Sequence, residues 1–312
     1  MRLGQLTGAI LVLLAAGQAG AADKLRVGVA AVYPPYSTPY VANELGIYKD
    51  AGIDVDVTLY RGSAPAQEAV ASDLADVITV PPHGAALAIA HGLKERIIGF
   101  TGDLELAGWY ITVRQDSPIK TPADLAGKTI GIGGKGSSTD FLTLLMLTRN
   151  HITAQTIPLG NPGVMPALKS GQVEAGIAWP LVSYQELLSG NFRQIFDFSK
   201  IKDKMVLNSW AASDTMIAQH PDLLRRWLKA NETTVRYMQT HKEWTLKFLE
   251  RYTGETDPRV VEAAYDSSIK SLVPDPTVKA EWLEAALALA AQSDVKGMAP
   301  VEAIYAKDFI GK

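Results

Sequence analysis

A glycine-rich turn within residues 129–140 constrains the fold of this chain more than any other stretch. A short apolar run leads into three closely spaced glycines, and Ser137 then precedes a nearly all-apolar segment at 141–150. Serine is a favoured helix N-cap, and Asp140 stands where it would close a capping-box-like pair. The pattern predicts a strand, a sharp turn and a buried helix whose first N–H groups suit an anion.

Two other interpretations of this turn are weighed against the anion site. Gly131, Gly133 and Gly136 match the G-x-G-x-x-G dinucleotide fingerprint, which needs an acidic residue about 20 positions further on. No Asp or Glu lies between Asp140 and Glu174, so the sequence argues against a nicotinamide or flavin site, and no cofactor is expected. A plain strand-to-helix turn without a ligand stays open as the second interpretation.

The overall composition excludes several classes of protein. The 312 residues are long enough for one large or two medium domains, and the formal net charge of -3 does not favour nucleic acid as a partner. The chain has no cysteine, which excludes disulfides, thiolate nucleophiles and cysteine-ligated zinc. No pair of the five histidines has a metal-ligand spacing with an acid nearby, and no nucleophile–base set is recognisable, so we expect no metal and no enzyme.

The N-terminus has the pattern of a secretory signal peptide at residues 1–22. Arg2 supplies a positive charge, residues 9–16 form a short apolar core, and small residues up to Ala22 offer a cleavage site. This apolar run is too short to span a bilayer of about 30 Å. Because no lipobox cysteine is present, we expect an exported periplasmic protein with a cleaved signal and no lipid anchor.

The rest of the chain alternates strand and helix patterns. Four strands with intervening helices are predicted within 23–107, and the first of these helices is expected to run unbroken over 39–51. A second α/β unit is predicted within 108–203. Residues 206–217 are predicted to be extended and to cross back, before four amphipathic helices. These patterns predict one lobe from 23–107 and 204–312 and a second lobe from 108–203.

The sequence resembles the periplasmic substrate-binding proteins of ABC importers, in particular the nitrate/sulfonate/taurine group that includes the thiamine-precursor binders. The residues that carry this resemblance are 40–48 followed by 52–55, 117–132, 165–175 and the Trp-Pro pair at 179–180. The resemblance covers nearly the whole mature chain. It implies an α/β, two-lobe periplasmic binding protein fold of type II, in which each lobe is a mainly parallel sheet flanked by helices and two strands cross between lobes.

The resemblance also implies a function. The expected protein is a monomer that captures a small-molecule solute by hinge closure and delivers it to the membrane permease of an ABC importer. We expect a small organic anion, a sulfonate or carboxylate with an apolar or aromatic body. Two alternatives stay open: a neutral heterocycle such as a pyrimidine or flavin precursor, and a pyrimidine-synthase-like enzyme of the same fold.

Ligands of open α/β sheets bind beyond the carboxyl ends of the strands, so the candidate site residues are taken from the loops that follow them. Ser137, Ser138 and their helix start would hold an anionic head, hydroxyls would be offered by the first lobe, and aromatic rings would wall the ligand body. The predicted ligand-binding residues are Tyr33, Tyr36, Ser37, Thr38, Ser63, Pro82, His83, Trp109, Gly136, Ser137, Ser138, Asn161, Trp179 and Trp210.

Overall fold

Two five-stranded mixed sheets, each flanked by helices, form two lobes, as the sequence predicts. The structure, a computed structural model, describes residues 22–102, 104–203, 206–277, 279–293 and 295–309. All but the last residue of the predicted signal peptide, 1–22, lies outside the described residues. Among the described residues, no helix is both long and apolar enough to cross a membrane.

The first sheet has the strand order β2-β1-β3-β10-β4, and it defines lobe I. β1 pairs in parallel with β2 and β3, whereas β10 runs antiparallel to both of its neighbours, β3 and β4. Four of the five strands therefore share one direction. The strands are β1 (Asp23–Val29), β2 (Ile53–Leu59), β3 (Val77–Val80), β4 (Glu95–Phe100) and β10 (Ser209–Ser213).

The second sheet repeats this arrangement with the order β7-β6-β8-β5-β9, and it defines lobe II. β6 pairs in parallel with β7 and β8, and β5 runs antiparallel to β8 and β9. Each sheet thus receives one strand that enters against the direction of the others. The strands are β5 (Tyr110–Arg114), β6 (Thr129–Ile132), β7 (Gln155–Pro158), β8 (Ala175–Ala178) and β9 (Phe192–Asp197).

Thirteen α-helices with bounds inside the described residues cover the two sheets. Those that precede the second sheet are α1 (Thr38–Glu44), α2 (Ile47–Asp50), α3 (Ser63–Ala71) and α4 (Pro82–Ala90). Those of the second sheet are α5 (Ser138–Arg149), α6 (Val164–Ser170) and α7 (Val182–Leu188). The C-terminal set is α8 (Asp214–Gln219), α9 (Pro221–Thr240), α10 (Lys242–Thr253), α11 (Pro258–Ala264), α12 (Ala280–Gln292) and α13 (Val301–Ile304).

Two predicted elements are wrong in detail. The single helix expected over 39–51 is divided into α1 and α2, because Gly46 adopts a left-handed conformation with φ of 73° between them. The extended stretch expected over 206–217 ends earlier than predicted. Ser213 caps α8 there, with its hydroxyl accepting a hydrogen bond from the Met216 N–H at 3.2 Å.

The C-terminal helices contact both lobes. The row of apolar residues on α9 is buried, with Leu224 and Trp227 fully so, and α9 packs on α1 and α2 of lobe I. α11 contacts α7, and α12 contacts α5, so these two helices also contact lobe II. The predicted division into 23–107 with 204–312 and 108–203 stays a prediction.

Candidate functional site

A small cavity of about 30 Å³ lies between the two lobes. Lobe I contributes six lining residues: Ala30, Ala31, Tyr33, Tyr36, Ser63 and Asn208. Lobe II contributes six more: Trp109, Ser137, Ser138, Thr139, Asn161 and Trp179. Eight of the fourteen predicted ligand-binding residues therefore meet at one place: Tyr33, Tyr36, Ser63, Trp109, Ser137, Ser138, Asn161 and Trp179.

The start of α5 forms one wall of the cavity. Ser137 is the N-cap, and its Oγ accepts a hydrogen bond from the Asp140 N–H at 3.3 Å. The Ser137 hydroxyl also donates to the Gly134 carbonyl at 2.6 Å, so its proton is engaged within the turn. Among the described residues, no acceptor lies opposite the backbone N–H of Ser138 or Thr139. The donors available to a ligand on this wall are therefore the amides of the first helical turn.

The carboxylate of Asp140 points into the glycine turn, although a position near the helix start could have placed it in the cavity. Its Oδ2 accepts the Gly136 N–H at 2.9 Å, and its Oδ1 lies 3.4 Å from Lys135 Nζ. In the usual capping box this carboxylate would accept the N–H of the N-cap residue, Ser137, whereas here it accepts the N–H of the residue before it. Since the lysine partly balances this buried charge, the amides of α5 remain suited to an anion.

Two tryptophans with buried indole N–H groups also line the cavity. Trp109 and Trp179 are 4% and 6% exposed, and the indole N–H of neither has a hydrogen-bond acceptor among the described residues. A buried donor without an acceptor costs about 1–3 kcal/mol, so these N–H groups favour a ligand that offers acceptor atoms. Tyr33 packs edge-on against both Tyr36 and Trp109, with ring centroids 5.1 and 5.8 Å apart, and completes an aromatic wall.

Four of the predicted residues lie outside the lining of the cavity. Ser37 and Thr38 donate to the carbonyls of Pro34 and Pro35, at 2.7 and 3.0 Å, and both are buried in that turn. Pro82 opens α4 as its first residue. Trp210 packs edge-on against Trp227 at 5.0 Å in the core of lobe I, since it lies within β10 and not at its end.

His83 and Gly136 join the lobes behind the cavity. The ring of His83, on α4, lies 4.8 Å from Phe141, and its Nε2 lies 3.3 Å from the Ser137 carbonyl of lobe II. A Cβ atom at Gly84 would lie 2.7 Å from the carbonyl oxygen of Gly136, which shows how closely the two segments approach. Burial lowers the pKa of His83 to about 4, and hydrogen bonding to the backbone offsets this only in part. His83 is therefore neutral and donates to a protein carbonyl.

The sequence interpretation missed four lining residues: Ala30, Ala31, Thr139 and Asn208. Asn208 precedes the antiparallel strand β10, so it lies at the edge where the parallel strands end, and it accepts a hydrogen bond from Ser138 Oγ at 2.7 Å. Trp109 occupies the equivalent position before β5. The sequence did show a polar residue, Asn208, near the start of the predicted return crossing. It did not show that this strand runs antiparallel, and only that direction brings the start of the strand to the cavity.

The comparisons with known proteins agree with this architecture. The profile of the family described as NMT1/THI5 like matches residues 34–244. A provisionally named binding protein of Brucella abortus is 26% identical over 270 residues, which cover 83% of this chain and 82% of that protein. The 2'-hydroxybiphenyl-2-sulfinate desulfinase of Rhodococcus erythropolis is 25% identical over 254 residues, covering 61% of this chain and 66% of the enzyme.

A solved structure extends the likeness to the fold. The alkanesulfonate-binding protein SsuA from Xanthomonas axonopodis, bound to MOPS, superposes with a TM-score of 0.78 at 18% identity, covering 91% of this chain and 98% of that chain. At this identity the likeness shows the fold alone. Because the family profile covers more than half of the sequence, the resemblance seen in the sequence is confirmed. The chain belongs to the NMT1/THI5-like family and has the two-lobe periplasmic binding protein fold.

Proposed function

We propose that this protein is the periplasmic solute-binding component of an ABC importer, and that it captures a small organic anion by closing its two lobes. The anion is a sulfonate or carboxylate with an apolar or aromatic body. In this proposal the chain is exported with a cleaved signal peptide and without a lipid anchor, it is a monomer, and its closed form docks on a membrane permease. Hinge closure of this kind is one of the common switching motions of two-domain proteins.

One observation carries the ligand assignment. Trp109 and Trp179, whose buried indole N–H groups have no acceptor among the described residues, line the same small cavity as the serines that open α5. The buried carboxylate of Asp140, in the first turn of α5, is bound to the glycine turn. A site with several donors and no facing carboxylate suits a ligand head that carries only acceptor atoms. Hydrogen bonds to a charged group contribute about 1.5–3 kcal/mol each, so three or four support micromolar binding.

Lobe closure is supported by hydrogen bonds that bridge the lobes beside the cavity. Asn161 Nδ2 donates to the Ala30 carbonyl at 3.1 Å, and Ser138 Oγ donates to Asn208 Oδ1 at 2.7 Å. These contacts are broken when the lobes separate. A ligand that binds both walls therefore favours the closed arrangement by its difference in affinity for the two states.

The relatives support the same chemistry. MOPS, the ligand of the superposed SsuA structure, is a sulfonate, and the Rhodococcus enzyme is named for an aromatic sulfinate. Both compounds join a sulfur oxyanion to an organic body. These are properties of those proteins, and they favour, by analogy, a sulfur oxyanion as the first ligand to test here.

A matched pair of variants at Ser137 tests the anion site. Asp and Asn are comparable N-caps of nearly equal size, so Ser137→Asp and Ser137→Asn should both preserve α5, while only the first adds a negative charge. We expect Ser137→Asn to bind MOPS or methanesulfonate within a few-fold of the wild type, by isothermal titration calorimetry, and Ser137→Asp to lose at least about tenfold. Equal affinities for the two variants would contradict the anion site.

A thermal-shift screen separates the alternatives. Sulfonates, aromatic carboxylates, nitrate and pyrimidines are compared at a hundredfold excess over the dissociation constant, where one-site binding stabilises by about 2.7 kcal/mol. If only pyrimidines stabilise the protein, it binds a neutral heterocycle and the anion proposal is wrong. Because one relative of this chain is an enzyme, release of sulfite from 2'-hydroxybiphenyl-2-sulfinate is measured as well. We expect none, since we propose that the protein is not an enzyme.

A further inference from the structure

A buried apolar contact joins the two lobes outside the lining of the ligand cavity. At the start of α7 in lobe II, Leu181 and the neighbouring Tyr184 pack with Val260 and Ala264 of α11. Leu181, Val260 and Ala264 are 6%, 2% and 0% exposed, so water is excluded from this place. These four residues form the α7–α11 contact.

The other side of α11 is fixed to lobe I. Val261, the residue after Val260, is 1% exposed and lies in one apolar cluster with Val41 of α1 and Val235 of α9. The helix therefore turns one buried valine toward each lobe. Separation of the lobes breaks the α7–α11 contact and leaves the packing of Val261 intact.

The backbone of Leu181 is strained within this contact. Its φ of 78° and ψ of -66° are those of a γ-turn with positive φ, which is rare and unfavourable for a residue that carries a Cβ. The other described non-glycine residues with positive φ are Asp73 and His151, each with a φ of 55° and each exposed. Their value lies in the ordinary left-handed region, and neither belongs to the α7–α11 contact.

Strain of this kind persists only where the surroundings hold the backbone in place. On one side, a Cβ atom at Gly108 would lie 3.0 Å from Pro180 Cγ, so the chain packs tightly on the residue before Leu181. On the other side, Val260 and Ala264 hold the leucine side chain. Because the second support is lost when the lobes separate, the turn can relax in the open protein, and the strain raises the free energy of the closed arrangement.

The strained turn is directly connected to the ligand cavity. Trp179, two residues before Leu181, lines the cavity, and its carbonyl accepts the N–H of Ser183 in α7 at 2.8 Å. A ligand that binds Trp179 together with the residues of lobe I favours the closed arrangement, in which Leu181 is strained. The free energy of ligand binding therefore opposes the strain.

We propose that the Leu181 turn opposes lobe closure, so that the protein stays open until a ligand bridges the lobes. The α7–α11 contact favours closure, and the strain at Leu181 offsets part of that effect. This inference rests on the proposed function and concerns the regulation of the same site. Since the apparent affinity falls with the fraction of molecules that is competent to bind, both effects are measurable in ligand binding.

A pair of variants at Leu181 isolates the strain. Leu181→Ala and Leu181→Gly both remove the apolar side chain, whereas only glycine adopts this φ without a Cβ penalty. We expect Leu181→Gly to bind methanesulfonate at least about fivefold more tightly than Leu181→Ala, by calorimetry on the full mature chain. The control pair, His151→Ala and His151→Gly, should bind it equally. Equal affinities of the Leu181 pair, or tighter binding by Leu181→Ala, would overturn the inference.

A second pair tests the contact without changing Leu181. Val260→Ala and Val261→Ala remove the same two methyl groups from adjacent buried valines, so both should lower the stability to urea. Only Val260→Ala alters the side of α11 that faces lobe II, and it should weaken methanesulfonate binding several-fold relative to Val261→Ala. The same affinity in both variants would show that the α7–α11 contact does not favour closure.

Closure without a ligand is measured by energy transfer between the lobes. The chain has no cysteine, so Thr58→Cys on β2 and Gln155→Cys on β7, both exposed, place one dye on each lobe. The closed fraction should be larger in Leu181→Gly than in Leu181→Ala, and smaller in Val260→Ala than in Val261→Ala. Identical fractions within both pairs would refute the inference. If these fractions differ as expected but neither MOPS nor methanesulfonate binds the wild type, the proposed ligand class is wrong while the role of Leu181 in closure stands.

Discussion

The contact of His83 with the start of α5 should make the junction between the lobes sensitive to acid. The ring is 2% exposed, and it lies between Phe141 and the Ser137 carbonyl. Burial lowers its pKa from 6.5 to about 4. The folded protein therefore has its full stability with the neutral ring above pH 6.5, and this contribution is lost as the pH falls from 6.5 toward 4.

The size of the effect follows from the two pKa values. At pH 5 most of an exposed histidine is protonated, whereas the buried ring resists protonation, so the loss is about 2 kcal/mol relative to pH 7.5. This loss of about 2 kcal/mol is an upper value for the free energy of unfolding, because separation of the lobes would expose the ring without unfolding either lobe. Opening of the lobes and weaker ligand binding are then the observable consequences.

A second buried group acts in the opposite direction. Glu95 is fully buried, it accepts a hydrogen bond from Gln67 at 2.7 Å, and burial raises its pKa to about 7. The protonated carboxyl of Glu95 contributes stability that is fully present below pH 4.5 and is lost as the pH rises through 7. Acidification from pH 7.5 to 5 should therefore raise the contribution of Glu95 to the free energy of unfolding by about 2 kcal/mol. The wild type should therefore show little net change between these pH values.

Variants separate the two groups. Urea unfolding is measured at pH 7.5 and 5.0 for the wild type, His83→Gln, Glu95→Gln and the double variant. On acidification, Glu95→Gln should lose up to about 2 kcal/mol and the double variant should lose much less. Histidine-selective NMR, assigned with His83→Gln, should show that His83 titrates below pH 5. Titration near pH 6.5, or the same pH dependence in Glu95→Gln and the double variant, would refute the reasoning.

Two backbone positions give further predictions, each with its own control. A Cβ at Gly133 would lie 1.9 Å from Asn161 Oδ1, whereas one at Gly134 would meet nothing within 4 Å. Gly133→Ala should displace the Asn161 side chain and break its hydrogen bond to the Ala30 carbonyl, which should cost about 0.5–1.5 kcal/mol in urea unfolding and weaken sulfonate binding; Gly134→Ala should do neither, and similar values for both would contradict the argument. Leu181 has a φ of 78° and ψ of -66°, a strained conformation for leucine. Leu181→Gly should be at least as stable as Leu181→Ala by thermal melting, the reverse of the usual order; a less stable glycine variant would exclude strain at this position.

Part of the fold followed from local sequence alone. Alternation of apolar runs with helix patterns predicted two α/β units, because strands and helices bury their apolar residues with different periods. The Ser137 cap and the buried helix after it were also predicted correctly, since capping depends on residues only three positions apart. The interruption of the first helix at Gly46 was not predicted, because a glycine can either continue a helix or end it.

The candidate site was only partly predictable. Some of the predicted rings and hydroxyls in the loops after parallel strands line the cavity, such as Tyr33, Ser63 and Trp179, whereas the hydroxyls of Ser37 and Thr38 do not. Trp210 was misplaced and Asn208 was missed for one reason: β10 is antiparallel, so its beginning, not its interior, reaches the cavity. Strand direction depends on which strands pair at long range, and no local pattern records that choice.

The sequence by itself determined most of the strands, the alternation of strands with helices and a helix start rich in donors, because these depend on propensity, periodicity and capping over short spans of chain. Only the tertiary structure decided which donors are free to bind a ligand. The hydroxyl proton of Ser137 is engaged within the turn and His83 is enclosed between the lobes, whereas the indole N–H groups of Trp109 and Trp179 have no acceptor in the described part of the chain. The Ser137 hydroxyl is engaged by a local partner, whereas contacts between distant parts of the chain enclose His83 and bury the two indoles, and each donor has one proton to give in one direction.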